Sequence, residues 1–332
     1  MMDIYFERNY GKLYEEVENG LCEVFELKTS YGAIKHLYIK REIPIIINKE
    51  KYYDLVTPYG YGGPIILNYK SGYKEKLINE FDSEFKKYCE ANNIVSEFIR
   101  FHPIIGNVND FKPIYLAEKV RKTVGTNIKD FEDPITNEFS KSTRKTIRRA
   151  LKSGITYRVI EGQDIKTENI DNFRKIYYSA MDRNTASEYY YFDDNYFSKC
   201  LEYYRDKIIL VEVLYEGKSI ASGFYFVYDK IIHAHLSGTL NEYLAYSPAY
   251  VIKYATVEWA KNNGIELIHY GGGTSNSEED TLYKFKKKFG KNTEFDFYVG
   301  KKIWNKDIYT ALCEHKSVDT TETDFFPLYR KN

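Results

Sequence analysis

The last third of the chain constrains the fold most, because strand-like and helix-like segments alternate there without interruption. Runs of β-branched and aromatic residues predict strands, and apolar residues spaced three or four apart predict helices. One helix is expected to begin at Pro248, with Ser247 as its N-cap, and to end before Gly264. Such alternation is typical of α/β layers. The predicted elements are strands Lys230–Thr239, Ile265–Tyr270 and Glu294–Val299 and helices Pro248–Asn263 and Asp280–Lys288.

The same order of elements recurs in the rest of the chain. At 332 residues, the chain is longer than the usual domain of about 100 to 200 residues, so two domains are expected. The earlier predicted strands are Leu21–Lys28, Ala33–Lys40, Pro44–Asn48, Ile94–Phe101, Ile155–Ile160, Ile208–Tyr215 and Ser219–Tyr228, and the helices are Tyr73–Ala91, Ile170–Met181 and Asp194–Tyr204. This pattern predicts an α/β (α+β) protein with domains 1–150 and 151–332, each a mixed sheet flanked by helices.

A basic helix is predicted at Ser140–Ser153, near the expected domain boundary. Ile147, Ala150 and Leu151 fall on one face of it, and its cations fall elsewhere. Those cations are Arg144, Lys145, Arg148, Arg149 and Lys152. They could neutralise RNA phosphates, or they could simply solvate an amphipathic linker helix.

Charge and cysteine content narrow the functional classes. Lys plus Arg and Asp plus Glu number 48 each, so no overall field draws the molecule onto DNA or an anionic membrane. The four cysteines are far apart, which indicates a reduced, cytoplasmic compartment rather than a secreted scaffold. No window approaches the roughly 18 apolar residues of a membrane span. Membrane contact is therefore expected to be peripheral at most.

Several short segments carry a family resemblance when they are taken together and in order. They are YGKLY (10–14), PYGYGGP (58–64), RFHP (100–103), HLSGT (235–239), HYGGG (269–273) and FKKKFG (285–290). In these segments the chain resembles the FemAB-like acyltransferases. The resemblance implies two tandem GNAT-like domains, of which the first is degenerate and the second holds the donor site. It also implies an aminoacyl-tRNA donor, no bound cofactor, and an amine acceptor on a peptidoglycan precursor.

Two departures from related proteins keep other functions open. No long heptad stretch corresponds to the helical arm of some relatives, which puts tRNA contact through such an arm in doubt. The stretch Leu244–Lys253 holds no glycine where CoA-using GNAT enzymes present a Gly-rich pyrophosphate loop, so acyl-CoA is disfavoured as donor. The alternatives are an acyl-CoA-dependent N-acyltransferase of an amino sugar and a GNAT-like binding protein without turnover.

Lys286 and His235 are the predicted catalytic residues. Amide formation needs a fixed cation or N–H donor near the reacting carbonyl, and Lys286 occupies the lysine of the FK…FG pattern that the resemblance places at the donor site. Alternatively, Lys286 lies on a solvated helix end with its neighbouring lysines. His235 could act as a general base near neutral pH. Glu279 and Asp280 are further candidates for a base, or simply the start of a helix.

The predicted substrate-binding residues are cations and glycine loops. The resemblance implies that Arg183 binds an acceptor's phosphates, and its planar fork suits such anions. The glycine loops let a backbone approach a ligand closely. A zinc site at His233, His235 and His269 lacks supporting carboxylates, so no metal is predicted. The binding set is Lys12, Tyr59, Tyr61, Gly62, Arg100, His102, Arg183, Gly271, Gly272 and Gly273.

Overall fold

The computed structural model describes residues 2–318 and 325–331. They form mostly short helices and a set of β-strands. The strands are β1 (Gly20–Thr29), β2 (Gly32–Glu42), β3 (Tyr53–Val56), β4 (Ile65–Tyr69), β5 (Ile94–Arg100), β6 (Leu116–Asn127), β7 (Thr156–Glu161), β8 (Ile208–Tyr215), β9 (Lys218–Tyr228), β10 (Ile231–Thr239), β11 (Leu267–Gly271) and β12 (Glu294–Ile303). The helices are α1 (Arg8–Lys12), α2 (Glu15–Glu18), α3 (Lys74–Ala91), α4 (Val108–Phe111), α5 (Pro134–Glu138), α6 (Lys141–Lys152), α7 (Thr167–Arg183), α8 (Asp194–Tyr204), α9 (Pro248–Asn262), α10 (Thr281–Lys287) and α11 (Lys306–His315).

The chain divides into two compact units. Unit 1 comprises residues 1–120 and 296–332, and unit 2 comprises residues 121–295. This division differs from the predicted boundary at residue 150. The basic helix α6 belongs to unit 2, because Ile147 and Ala150 are buried in the same core as α9. The C-terminal segment belongs to unit 1, where Trp304 packs on the aromatic core of α3.

Unit 1 is built on a mixed sheet in the order β1-β2-β3-β5-β12, with β4 paired to β2. The pairs are antiparallel except for β3 and β5, which run parallel. Helix α3 covers this sheet with Leu77, Phe81, Phe85 and Cys89, all buried and at helical spacing. The apolar face that the helical spacing of the sequence predicts is therefore the face that packs in the core of unit 1.

In unit 2 the strands pair in the order β6-β11-β10-β9-β8-β7. Strands β10 and β11 are parallel, and the other pairs are antiparallel. The pairing of β10 with β11 covers only Ile231–His233 against Leu267–His269, and both strands then show an irregularity. The two strands thus stop pairing where the triple glycine begins, which leaves room beside the ends of these strands.

The mixed strand pairing and the flanking helices of each unit confirm the predicted α/β class. Two local predictions were wrong. Pro44–Asn48 is not a strand, because Asn48 and Lys49 adopt left-handed backbone angles and turn the chain. Ser247 precedes α9 but its side chain does not cap the helix, because its own backbone is left-handed (φ 57°). No helix in residues 2–318 or 325–331 is both long and apolar enough to span a bilayer.

Candidate active site

Lys286 lies on α10, a short helix whose position is fixed at both ends. At its start, the Asp280 carboxylate accepts a hydrogen bond from the Tyr283 backbone N–H at 2.8 Å, as an N-cap does. At its end, the buried Phe289 packs edge-on to the rings of Tyr250 and Phe285. These contacts place Lys286 beside the strand end of β11.

The Lys286 ammonium donates a hydrogen bond to the carbonyl oxygen of Gly272 at 2.6 Å. Burial, aided by the nearby Lys253 and opposed by Asp280, lowers the pKa of Lys286 to about 7. Because this pKa lies near neutral pH, the protonation of Lys286 responds to any negative charge brought close to it. Lys286 thus has the properties of an oxyanion-stabilising group.

Lys253 is the second buried cation of this region, and sequence reasoning did not identify it. It projects from α9, and its ammonium donates to the Tyr225 hydroxyl at 3.2 Å. Its nitrogen also lies 4.8 Å from the centre of the Tyr270 ring. Burial lowers its pKa to about 8. The signal in the sequence is a lone lysine inside the apolar run 249–257.

The triple glycine holds its carbonyl oxygens, rather than its N–H groups, toward the cations. The Gly272 oxygen accepts from Lys286, and the Gly273 oxygen accepts from the Arg121 guanidinium at 2.7 Å. A Cβ at position 273 would come within 2.3 Å of the Asp280 carboxylate, and Gly271 has a φ of 74°. These glycines are therefore required for close approach and for a left-handed backbone angle.

Asp280 is a structural anion and not a general base. One of its oxygens accepts from the backbone and hydroxyl groups of Thr274 and Ser275, while the other caps α10. These bonds hold the pKa of Asp280 well below its usual range, in spite of its burial. The other candidate, Glu279, is exposed and forms an ion pair with Lys284. The helix-start interpretation therefore describes both residues.

His235 lies in different surroundings from Lys286. Its Nε2 forms a hydrogen bond with the Tyr196 hydroxyl at 2.6 Å, and its ring lies 5.0 Å from that of Phe226. Phe226 and Tyr225 are neighbours on β9, so they point to opposite faces of the sheet, and Tyr225 contacts Lys253. Burial, aided by His233, lowers the pKa of His235 to about 3. This environment disfavours a base that titrates near neutral pH, and the catalytic role of His235 stays a prediction.

The predicted binding residues of unit 1 gather in one aromatic cluster. Tyr61 is packed between the rings of Tyr5, His102 and Phe297. His102 Nδ1 accepts from the Ile105 backbone N–H at 3.2 Å, and its Nε2 lies 3.2 Å from the Asp3 carboxylate. The imidazole is fully buried.

The remaining predicted residues of unit 1 also have structural partners. Gly62 donates its N–H to the Arg100 carbonyl at 2.8 Å, and the Tyr59 carbonyl accepts from the Tyr10 hydroxyl at 2.8 Å. The Arg100 guanidinium donates to the Thr57 carbonyl at 2.9 Å. Lys12 lies half-buried in α1. The structure thus brings Tyr59, Tyr61, Gly62, Arg100 and His102 together, around a loop that is largely packed.

Arg183 ends α7 and joins that helix to the end of β10. Its guanidinium donates to the Thr239 carbonyl at 2.9 Å and to the Asn241 side chain. The residue is exposed, so its remaining donors face solvent. A role in anion binding remains a prediction, beside the structural role just described.

Lys253 and Lys286 form a cationic site, hereafter the lysine site, beside the end of β11 in an α/β protein. A family described as FemAB-like, for peptidoglycan biosynthesis or recognition, matches residues 61–278, about two thirds of the chain. The chain belongs to this family.

Two curated relatives carry aminoacyltransferase names. One is a UDP-N-acetylmuramoylpentapeptide-lysine N(6)-alanyltransferase of Weissella viridescens, 24% identical over 52% of this chain and 50% of its own length. Another is the aminoacyltransferase FemA of Staphylococcus aureus, 30% identical over 30% of this chain and 24% of its own length. The chain matches half or less of the length of these relatives.

Solved structures extend the likeness in fold over nearly the whole chain. The crystal structure of FemX superposes with a TM-score of 0.68 at 12% identity, covering 93% of this chain and 94% of its own. A tandem GNAT protein of clavulanic acid biosynthesis gives a TM-score of 0.51 at 7% identity, covering 84% and 82%. The tandem GNAT-like architecture is thereby confirmed.

Proposed function

We propose that this protein is an acyltransferase that joins an amino acid to an amine of a peptidoglycan precursor, with aminoacyl-tRNA as the donor. The observation that carries this proposal is the Lys286 ammonium, held on the Gly272 carbonyl with a depressed pKa in a member of the FemAB-like family. The named acceptor of the Weissella relative, a lysine of a UDP-linked muropeptide, is the acceptor expected here.

In the proposed reaction, the neutral acceptor amine attacks the ester carbonyl of the donor. A nitrogen–carbon bond forms, and the carbonyl oxygen gains the negative charge of a tetrahedral intermediate. Lys286 donates a hydrogen bond to that oxygen. The ester carbon–oxygen bond then breaks, and the ribose hydroxyl leaves with the proton that the amine gives up. Removing one such oxyanion donor typically costs a factor of about 100 to 1,000 in rate.

The low pKa of Lys286 suits this role. At pH 7 the free site holds the proton about half of the time, because the pKa is about 7. A donor phosphate or a developing oxyanion would raise that pKa, since an opposite charge favours the ammonium. The cation would thus be fully formed when the donor is bound. Charged tRNA as donor also implies a cytoplasmic reaction.

A second candidate, acyl-CoA as donor, is suggested by the likeness in fold to the tandem GNAT protein of clavulanic acid biosynthesis, which was solved without acetyl-CoA. Against this stands the absence of glycine from Leu244–Lys253, at the start of α9. Without glycine, the backbone N–H groups are less open to a pyrophosphate. The tRNA donor is therefore preferred.

The donor and acceptor are tested together by mass spectrometry. The protein is incubated with a lysine-containing UDP-muropeptide and either a charged-tRNA mixture or acetyl-CoA. We expect the muropeptide to gain one amino-acid residue, only with tRNA and only with an intact acceptor amine. Acetylation with acetyl-CoA alone would favour the second candidate. No product from either donor, with a folded protein, would refute the proposal.

A further inference from the structure

The exposed side of α6 is a strip of positive charge with no compensating anions. The helix advances about 100° per residue, which places Lys141, Lys145, Arg148, Arg149 and Lys152 within about 100° of its circumference. All five are exposed. In the part of the chain that the structure describes, none of them makes an ion pair, and residues 140–160 contain no Asp or Glu. This strip of five cations is called the α6 strip below.

Four exposed lysines elsewhere in unit 2 have carboxylate partners, unlike the cations of the α6 strip. Lys218, Lys230, Lys261 and Lys284 each lie within 4 Å of a carboxylate. The sixth cation of the helix, Arg144, is used to hold α5, since it donates to the Thr136 and Phe139 carbonyls at 2.8 and 2.7 Å. Repulsion among unpaired cations on one helix face lowers the stability of the folded protein. Their arrangement is better explained by an anionic ligand.

The α6 strip is fixed next to the lysine site. The Ser140 N–H, directly before α6, donates to the Lys288 carbonyl at 2.9 Å, two residues after Lys286. The buried Glu138 carboxylate accepts from the Asn292 N–H at 2.9 Å and from the Thr293 hydroxyl. From Lys141 to Lys152 the helix rises about 16 Å. The positive charges of the α6 strip therefore extend from the neighbourhood of Lys286 along the exposed face of α6.

The buried side of α6 favours RNA over a membrane. Helices that bind membranes insert an apolar face between lipids. In α6 that face already lies in the core, where Ile147 and Ala150 are each 3% exposed. What remains outside is charge alone, which suits a phosphate backbone.

We infer that the α6 strip binds phosphates of the donor RNA close to its aminoacylated end. The inference rests on the proposed tRNA donor, because the ester of that donor must lie at Lys286 while its phosphates continue past Ser140 and α6. On a plot of log affinity against log salt concentration, each neutralised phosphate makes the negative slope steeper by about 0.7 to 0.9. Three such contacts thus account for a slope of about 2 to 3.

The test compares two variants that lose the same charge. One is Lys145→Gln/Arg148→Gln/Arg149→Gln, which changes the α6 strip. The control is Lys175→Gln/Lys306→Gln/Lys316→Gln, which changes exposed cations elsewhere. Binding of fluorescent, uncharged tRNA is measured by anisotropy between about 50 and about 200 mM salt, a range over which phosphate contacts weaken strongly.

We expect the strip variant to bind tRNA about 10- to 100-fold more weakly at low salt, with a slope shallower by about 2 to 3. The control should bind as the parent does. Equal binding by the strip variant and the parent would overturn the inference, as would a parent that does not bind tRNA. Loss of binding to vesicles containing anionic lipid, with tRNA binding unchanged, would also overturn it.

A second measurement separates this inference from the proposed function. Transfer is followed with full-length aminoacyl-tRNA and with an aminoacylated donor of only a few nucleotides, too short to span α6. The strip variant should show a raised KM for the full-length donor alone, with kcat retained. If full-length transfer proceeds in both proteins with the same KM, the inference fails while the proposed function stands. Because the binding assay needs no turnover, it remains decisive even if no transfer is found.

Discussion

The buried charges of unit 1 are neutralised within the fold, whereas the lysine site of unit 2 keeps its charges apart from anions. In unit 1, the Asp54 carboxylate accepts from Arg41 at 2.8 Å and also from Arg330. The Glu97 carboxylate accepts from the Trp304 indole at 3.2 Å and is paired with His36. Each buried anion of these two networks therefore has cationic or N–H partners.

The lysine site of unit 2 is arranged differently. Lys253 has a hydroxyl partner and Lys286 a carbonyl partner, and in residues 2–318 and 325–331 neither has a carboxylate within 4 Å. A buried cation without an anion costs free energy, which appears here as a lowered pKa. The comparison shows that the buried charges of these unit 1 networks are paired, whereas the two lysines of unit 2 have neutral hydrogen-bond partners, as the proposed function requires.

The largest effect is expected from Lys286→Met. The variant loses the cation that meets the oxyanion, so transfer should fall about 100- to 1,000-fold. Single-turnover transfer to the muropeptide measures this. The control, Lys284→Met, changes an exposed lysine of the same helix and should stay within about threefold of the parent. A similar, small loss in both variants would mean that Lys286 is a surface lysine like its neighbours.

In unit 1, Glu97→Ala should strongly destabilise the fold. It leaves the buried His36, Tyr115 and Trp304 groups without their shared partner, at a cost of about 3 to 5 kcal/mol. Urea unfolding measures this cost. The control is Glu90→Ala, an exposed glutamate whose ion pair with Lys86 should contribute at most about 1 kcal/mol. Equal stability of the two variants would remove the contrast between the units.

Lys253→Met should change how stability depends on pH. The pKa of Lys253 is about 8 in the folded protein and near 10.4 in the unfolded chain, so the unfolded chain holds more protons between these values. The parent's stability from this residue therefore rises with pH across that window and is lost as pH falls toward 8. The variant lacks this rise, which amounts to about 3 kcal/mol at most.

The control for Lys253→Met is Lys261→Met, which changes a lysine on the exposed side of the same helix. Denaturant unfolding is measured for both variants and the parent at about pH 7.5 and about pH 10.5. These pH values lie just outside the folded and unfolded pKa values of Lys253. Only Lys253→Met should gain stability relative to the parent at the lower pH. If both variants follow the parent at each pH, Lys253 is not a buried cation.

The smallest effect is expected from His235→Phe. The histidine lies on the face of the sheet opposite Lys253, so transfer should change by no more than about threefold. Loss of its hydrogen bond to Tyr196 should cost about 1 kcal/mol of stability. Transfer assays and thermal unfolding give the two values. A rate loss of tenfold or more in a variant of normal stability would restore His235 as a catalytic residue.

Much of the fold could be predicted because its periodic patterns are local. Helix α3 places its apolar residues at helical spacing, and Ser140 caps α6 as a serine before a helix should. Strand β6 (Leu116–Asn127) was missed. Its first half carries Glu118, Lys119, Arg121 and Lys122, and such charges hide a strand from hydropathy alone. Tertiary pairing, rather than composition, makes it a strand.

The candidate site was predicted only in part. Lys286 and the triple glycine came from the family resemblance, and the structure places them in direct contact. Lys253 was missed because its partners, Tyr225 and Tyr270, come from two different strands. The surroundings of His235 could not be predicted, because sequence alone does not reveal the irregularity in β10 between Ala234 and Leu236, which alters the side-chain alternation there.

The central claim, that unit 2 holds two lysines away from anions, is tested most directly by NMR titration of the lysine side chains. Lysine labelled with ¹³C and ¹⁵N reports each ammonium group, and Lys286→Met and Lys253→Met assign the two signals. The account predicts that these lysines titrate near pH 7 and pH 8, far below the others. Titration of both near the ordinary value of about 10.4 would contradict it.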